Sequence, residues 1–195
     1  DGRLLHQEQW AQVKSKTAQF YNLESEQIGI CSSASEAYNL AYMALRLQDG
    51  DEVVINDLDF PSGTTPWMTE SSKAVVKVWR SKNGELDLQD LAKLVTPKTK
   101  LVNISLVSFY NGFRLDVDEV SQIVRRHSDA MLAVDVTQAL GRIPLHRASR
   151  DATSLDSRIF CQKALASRAS RGETCNPRSE AKSCCDGAFV ARWRR

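Results

Sequence analysis

Short β-branched runs alternate with segments of helical period along most of this chain, and that alternation restricts the fold more than any other feature of it. The runs Ile28-Gly29-Ile30-Cys31, Asp51 to Asn56, Ala74 to Trp79, Leu101 to Val107 and Met131 to Val136 are predicted strands. Residues 4–20, Ser33 to about Gly50, 62–72 after the Pro61 break, Asp87 to Val95 and Val117 to His127 carry apolar residues at helical spacing. Strand and helix taking turns in this way predict βαβ units, hence an α/β fold with a mostly parallel sheet and helices on both faces. Ligands of such sheets sit beyond the carboxyl ends of the strands. Chemistry is therefore to be sought after Cys31, after Asn56, after Val107 and at Asp135.

Three of those four places carry groups suited to a phosphorylated aromatic ligand. Ser33-Ala34-Ser35-Glu36 matches the capping box S/T-x-x-E, and a helix starting there presents unbonded N–H groups and a dipole favourable to phosphate. A plain helix cap would explain the same residues. Phe60 follows a buried strand at a distance suited to stacking on a planar ring, or to plugging the core beneath its loop. Asp135 ends an otherwise apolar strand, where a carboxylate is costly unless it meets a cation or good donors. A protonated pyridine nitrogen would be such a cation.

Other motifs are missing or bland. His6, His127 and His146 follow no metal-ligand spacing, so no metal is expected. The acidic pieces at 49–52 and 116–119 read as a turn and a helix start. Neither G-x-G-x-x-G nor G-x-x-x-x-G-K-[ST] occurs, which leaves nicotinamide and nucleoside triphosphate binding without support.

Charge divides the chain in two. Residues 1–146 hold 15 basic and 19 acidic side chains (net −4) and residues 147–195 hold 11 and 5 (net +6), although the whole carries only +2. The second segment also holds four of the five cysteines and few aliphatic residues, so it is expected to be a divergent, poorly ordered Ser/Arg/Cys-rich tail. Its cysteines (Cys161, Cys175, Cys184 and Cys185) lack paired zinc spacing, and its arginines lack the aromatic interleaving of a nucleic-acid arm. No apolar run approaches the roughly 20 residues of a membrane span, and the first residues lack a signal-peptide core. A soluble protein of the cytoplasm or an organelle is expected.

The ordered set 33–40 (S-A-S-E-A-Y-N-L), 50–54 (G-D-E-V-V), Asp59-Phe60 with Pro66-Trp67, Val107-Ser108 with Gly112, and 135–144 (D-V-T-Q-A-L-G-R-I-P) resembles the class V aminotransferase family of pyridoxal-phosphate (PLP) enzymes. That family includes cysteine desulfurases and isopenicillin-N-epimerase-like proteins. The resemblance covers about residues 5–145, and the D-x-x-Q-x-x-G-x-x-P block is its most specific part. It implies an incomplete fold-type-I large domain over residues 1–146. It also implies that Asp135 pairs with the PLP ring nitrogen, Gln138 approaches the ring hydroxyl, Phe60 stacks on the ring, and Ala34 and Ser35 meet the phosphate.

The family's lysine lies about 25 residues beyond this Asp in a Ser-x-His-Lys-like motif. Here similarity fades near His146. Lys163, 28 residues after Asp135, is the candidate for that catalytic lysine, but it stands in Phe160-Cys161-Gln162-Lys163 without the Ser and His, and a solvated lysine of the tail is the alternative. Phe60 replaces the His that desulfurases carry, and Phe109 an Asn of several relatives. These departures imply an amino-acid-processing enzyme working through an aldimine, aminotransferase- or epimerase-like, ahead of a desulfurase or lyase. The alternatives are a catalytically silent remnant, or an interaction protein. The chain is expected to be truncated at both ends, its tail out of frame or divergent, and its full-length relative a homodimer acting on an amino acid.

Overall fold

The computed structural model describes residues 2–21, 24–139, 143, 159–161, 163–165 and 187–191. Helix α1 spans Gly2–Tyr21 and is followed by strand β1, Gly29–Cys31. Then come α2 (Ala34–Leu45), β2 (Glu52–Asn56), the single turn α3 (Pro61–Thr64), β3 (Val75–Trp79), α4 (Leu88–Leu94), β4 (Thr99–Ser105), α5 (Val117–His127) and β5 (Met131–Asp135). Three further strands are β6 (Ile159–Cys161), β7 (Lys163–Leu165) and β8 (Gly187–Ala191). Of the segment 147–195, these three strands alone fall within the described residues.

Five strands form a sheet of order β3-β2-β4-β5-β6, and every neighbouring pair runs parallel. Its central strands are apolar on both sides over most of their length because both faces are covered. Val54, Val102, Ile104, Leu132 and Val134 pack on one face with Leu91 of α4 and Val120 and Val124 of α5. Val53, Ile55, Leu101 and Ala133, displaced by one residue, pack on the other with Tyr38 and Ala41 of α2 and with Trp67. The βαβ expectation therefore holds, and the side-chain period of two is what gives each face its own helices.

Local sequence sets several boundaries. The Asp116 carboxylate accepts from the N–H groups of Asp118 and Glu119, which starts α5 where the sequence predicts. Asn83 and Gly84 both take positive φ, 53° and 81°, closing the expected tight turn between β3 and α4. Helix α2 stops earlier than Gly50, since Arg46 adopts a left-handed conformation (φ 47°) after Leu45.

Two expectations need correction. The helix predicted over 62–72 is only the turn α3 and a 3-10 turn over Thr65–Met68. Pro66 has no N–H to continue an α-helix and its ring opposes the carbonyl four residues back. The hydroxyls of Thr64 and Thr65 take the Pro61 carbonyl instead, at 3.2 and 2.7 Å. The strand at Cys31 is not a member of the parallel sheet. Strand β1 pairs antiparallel with β8, which in turn pairs antiparallel with β7, in a separate sheet of order β1-β8-β7.

Candidate functional site

The carboxyl ends of β2, β4 and β5 lie side by side, and each delivers polar or aromatic side chains to the same edge. Strand β5 ends at Asp135, which is opposite Ser105, the last residue of β4. The Asp135 carbonyl accepts from Leu106 N–H at 2.8 Å, so the chain leaving β4 is tied to the residue that ends β5. The Asp135 side chain is buried (residue exposure 8%), and its Oδ1 accepts one hydrogen bond, from Thr137 N–H at 2.8 Å. Burial pushes its carboxyl above the usual carboxylate range, against the opposing effect of the Thr137 bonds. Among the described residues, no basic side chain pairs with it.

Strand β2 ends at Asn56, whose Oδ1 accepts from Leu58 N–H at 3.0 Å and turns the chain toward Asp59 and Phe60. Phe60 is no core plug, because half of it (50%) is exposed. Its ring stands edge-on to Phe109, centroids 5.0 Å apart, and Phe109 lies on the loop after β4. Tyr110 adds a third exposed ring, 6.5 Å from Phe109. The Ser108 hydroxyl donates to the Leu58 carbonyl at 3.0 Å and joins these two loops.

Ala34 and Ser35 open α2, with Ser33 as its cap. The Ser33 hydroxyl accepts from Glu36 N–H at 3.1 Å, which is half of the expected capping box. The other half is altered, since the Glu36 carboxylate takes the N–H and hydroxyl of Ser32, both at 2.6 Å, in place of the Ser33 N–H. Those Ser32 bonds hold the Glu36 carboxyl below its usual range. One turn on, Tyr38 reaches the loop that carries Phe60. A methyl group built on Gly63 would lie 3.2 Å from the Tyr38 hydroxyl and 3.0 Å from Asn103 Nδ2, so α2, α3 and β4 meet at a position that only glycine fills without displacement.

Gln138 is exposed in the turn after β5. Lys163 begins β7 with its backbone opposite Phe189. It follows Cys161 by two residues, and Cys161 is the parallel partner of Asp135. The Lys163 side chain lies outside the described residues, as do Cys175, Cys184, Cys185 and the Gly141 to Pro144 part of the sequence block, Ile143 excepted. Cys31 is a buried thiol, pushed up by burial and then by the Glu36 charge, which makes it a poor nucleophile.

One pair escaped the sequence reading. Asp59, exposed by 8%, accepts at Oδ2 from Asn103 Nδ2 at 3.0 Å, and Asn103 is 1% exposed. Burial raises the Asp59 carboxyl to about 7, although Ser105, Asn56 and Asn103 pull it down. The available signal was an amide inside the apolar run Leu101-Val102-Asn103-Ile104, the same anomaly that singles out Asp135.

The family model for class-V aminotransferases matches residues 5–153. An aminotransferase-like protein of Gibberella zeae is 30% identical over 123 residues, 60% of this chain and 31% of that protein. A probable cysteine desulfurase of Streptomyces coelicolor is 30% identical over 146 residues, 68% of this chain and 34% of that protein. The chain thus spans about a third of the length of these relatives. Among solved structures, a C-DES mutant with Gly covalently linked to the PLP cofactor superposes with TM-score 0.73, covering 96% of this chain and 46% of the other at 19% identity. That likeness establishes a shared fold.

Proposed function

Because the chain belongs to the class-V aminotransferase family, we propose that its strand-end edge is the cofactor half of a PLP-dependent enzyme that acts on an amino acid, in the aminotransferase- or epimerase-like manner. One observation carries this assignment: Asp135 is a buried carboxylate with a single backbone donor and, among the described residues, no cation. A buried anion of this kind is costly alone and favourable beside a protonated ring nitrogen. The donor set fits PLP in its other parts as well. Phe60 offers a half-exposed ring to a planar ligand, and the first turn of α2 offers N–H groups and the Ser35 hydroxyl to a phosphate.

Bound PLP supplies an electron sink for negative charge at an amino acid's α-carbon. For its part, Asp135 holds a proton at the ring nitrogen, with Thr137 N–H fixing its carboxylate. Gln138 is assigned to the ring hydroxyl, where an exposed amide has room to donate. Phe60 and Phe109 keep water from one side of the ring. Lys163 is the amine assigned to proton transfer at the substrate, and the register that sets Cys161 beside Asp135 supports its nearness to the strand ends. A desulfurase is the second reading, favoured by the Streptomyces relative. It requires a reactive thiolate, and Cys31 does not meet that requirement.

Titration of the purified protein with PLP, followed by its visible absorption, tests the assignment. A saturable band that shifts on Lys163→Ala and weakens on Asp135→Asn is expected. No band at any concentration would overturn the assignment, and sulfide release from cysteine would favour the second reading.

A further inference from the structure

The Asp59–Asn103 pair leaves two buried acceptors unmatched. Asn103 Nδ2 donates to Asp59 Oδ2 at 3.0 Å, while Asp59 Oδ1 and Asn103 Oδ1 both lack a hydrogen bond of acceptable geometry. Each orphan belongs to the same two planar groups that are already joined at their other ends. A protonated carboxyl would supply the donor that Asn103 Oδ1 lacks, and one proton shared in this way makes the second bond of a cyclic acid–amide pair. Ser105 and Asn56 also bond the carboxylate, but neither serves Asn103 Oδ1, which has no partner. Asn56 donates toward the Asn103 carbonyl from β2 at 3.4 Å, Ser105 of β4 lies against the carboxylate, and Gly63 of α3 approaches Asn103 Nδ2. Titratable groups on the elements packed here include the Tyr38 hydroxyl on α2, Asp57 on the same loop, which accepts from Ser81 N–H and pairs with Arg80 at 3.8 Å, and Asp135, the partner of Ser105. No cation pairs with Asp59 among the described residues.

We propose that Asp59 carries a proton in the resting protein and closes a two-bond ring with the Asn103 amide, making it a positioning residue that latches the Phe60 loop onto β4. Its role toward Phe60 as ligand platform rests on the function proposed above; the latch itself does not. Its proton is lost as the medium becomes alkaline, and the loop after β2 then loosens from the sheet. The direction of the pH effect follows from linkage. The carboxyl titrates near 3.8 when unfolded and about 7 when folded. Between those values unfolding releases a proton, so stability falls as pH rises through the window and levels off above it.

The substitution Asp59→Asn separates this latch from a role for the carboxylate anion, because an amide–amide pair closes the same ring without a titratable proton. Thermal unfolding of the full chain from pH 4.5 to 8.5 should show a shallower decline for Asp59→Asn than for wild type, the residue of the slope belonging to Asp135. Above pH 7.5 the variant should melt higher by about 5 °C. Hydrogen exchange of residues 57–64 at pH 8.5 should be slower in Asp59→Asn by about tenfold. An equal pH slope, or a variant that melts lower and exchanges faster at pH 8.5, would overturn the latch. PLP affinity at pH 8.5 should be several-fold tighter in Asp59→Asn. If neither protein binds PLP while the melting and exchange differences appear, the cofactor assignment fails and the latch stands.

Discussion

Replacing Asp135 by Asn should move stability and cofactor affinity in opposite directions. In the free protein the carboxylate is buried, is bonded by Thr137 alone, its N–H at 2.8 Å, and faces no cation among the described residues, so its charge is a liability. Asn retains an oxygen for Thr137 N–H and removes the charge. Relieving an under-satisfied buried anion recovers about 1–3 kcal/mol, while the new amide NH₂ group forfeits about 1 kcal/mol if left unbonded. The net gain at pH 8 is about 1 kcal/mol, or about 2–4 °C for a domain of this size. With PLP present the sign reverses. A hydrogen bond between charged partners contributes about 1.5–3 kcal/mol, so its loss weakens binding about 10- to 150-fold. Differential scanning calorimetry without ligand and absorption titration with PLP read the two effects separately. The reasoning fails if Asp135→Asn destabilises the free protein by more than about 1 kcal/mol at pH 8, or if PLP affinity stays within about twofold.

Gly63→Ala sets a methyl group 3.0 Å from Asn103 Nδ2 and 3.2 Å from the Tyr38 hydroxyl; displacing them should cost about 1–3 kcal/mol in urea denaturation. Phe60→Leu removes the edge-to-face contact with Phe109, and a loss of about 0.5–1.5 kcal/mol should appear in PLP affinity more than in melting temperature, as the ring is half exposed. Ser33→Ala deletes the acceptor for Glu36 N–H and should destabilise the protein by about 1 kcal/mol in the same denaturation assay.

Where structure is decided by neighbours in sequence, the chain was legible. Helix α5 begins where the Asp116 carboxylate caps it and ends at the Ser128 turn, and both signals sit within its own residues. Strands β2, β4 and β5 carry short, mostly apolar runs because helices cover both faces, and length separates such runs from helices. The placement of β1 was not legible. Its partner β8 lies some 160 residues away in a segment with little apolar character, and three residues, one of them Gly29, cannot announce a register. The failure of the helix over 62–72 was readable in principle from Pro66, whose effect depends on whether it falls in the first turn or after it.

At the site, single residues were easier to find than pairs. Asp135 stood out as a charge in an apolar strand. Asn103 was the same kind of anomaly, but its meaning depends on Asp59, 44 residues earlier. The two buried carboxylates then divide their tasks by environment. Asp59 has an amide that completes a ring around its proton, so it serves the fold as a neutral acid. Asp135 is bonded by Thr137 alone and has no cation among the described residues, so its charge is satisfied when a cation arrives. If both ionised together, an anion on the loop after β2 and one at the end of β5 would repel with Ser105 of β4 between them, raising the cost of keeping either. Keeping Asp59 protonated therefore removes one buried negative charge from the neighbourhood of Asp135, and it follows that Asp59→Asn should leave the Asp135 contribution to PLP binding intact below neutral pH. Measured as a double-mutant cycle of Asp59→Asn and Asp135→Asn, the coupling in PLP affinity should be near zero at pH 6 and grow by pH 8.5, when wild-type Asp59 has lost its proton. Coupling of equal size at both values would mean that Asp59 is charged throughout.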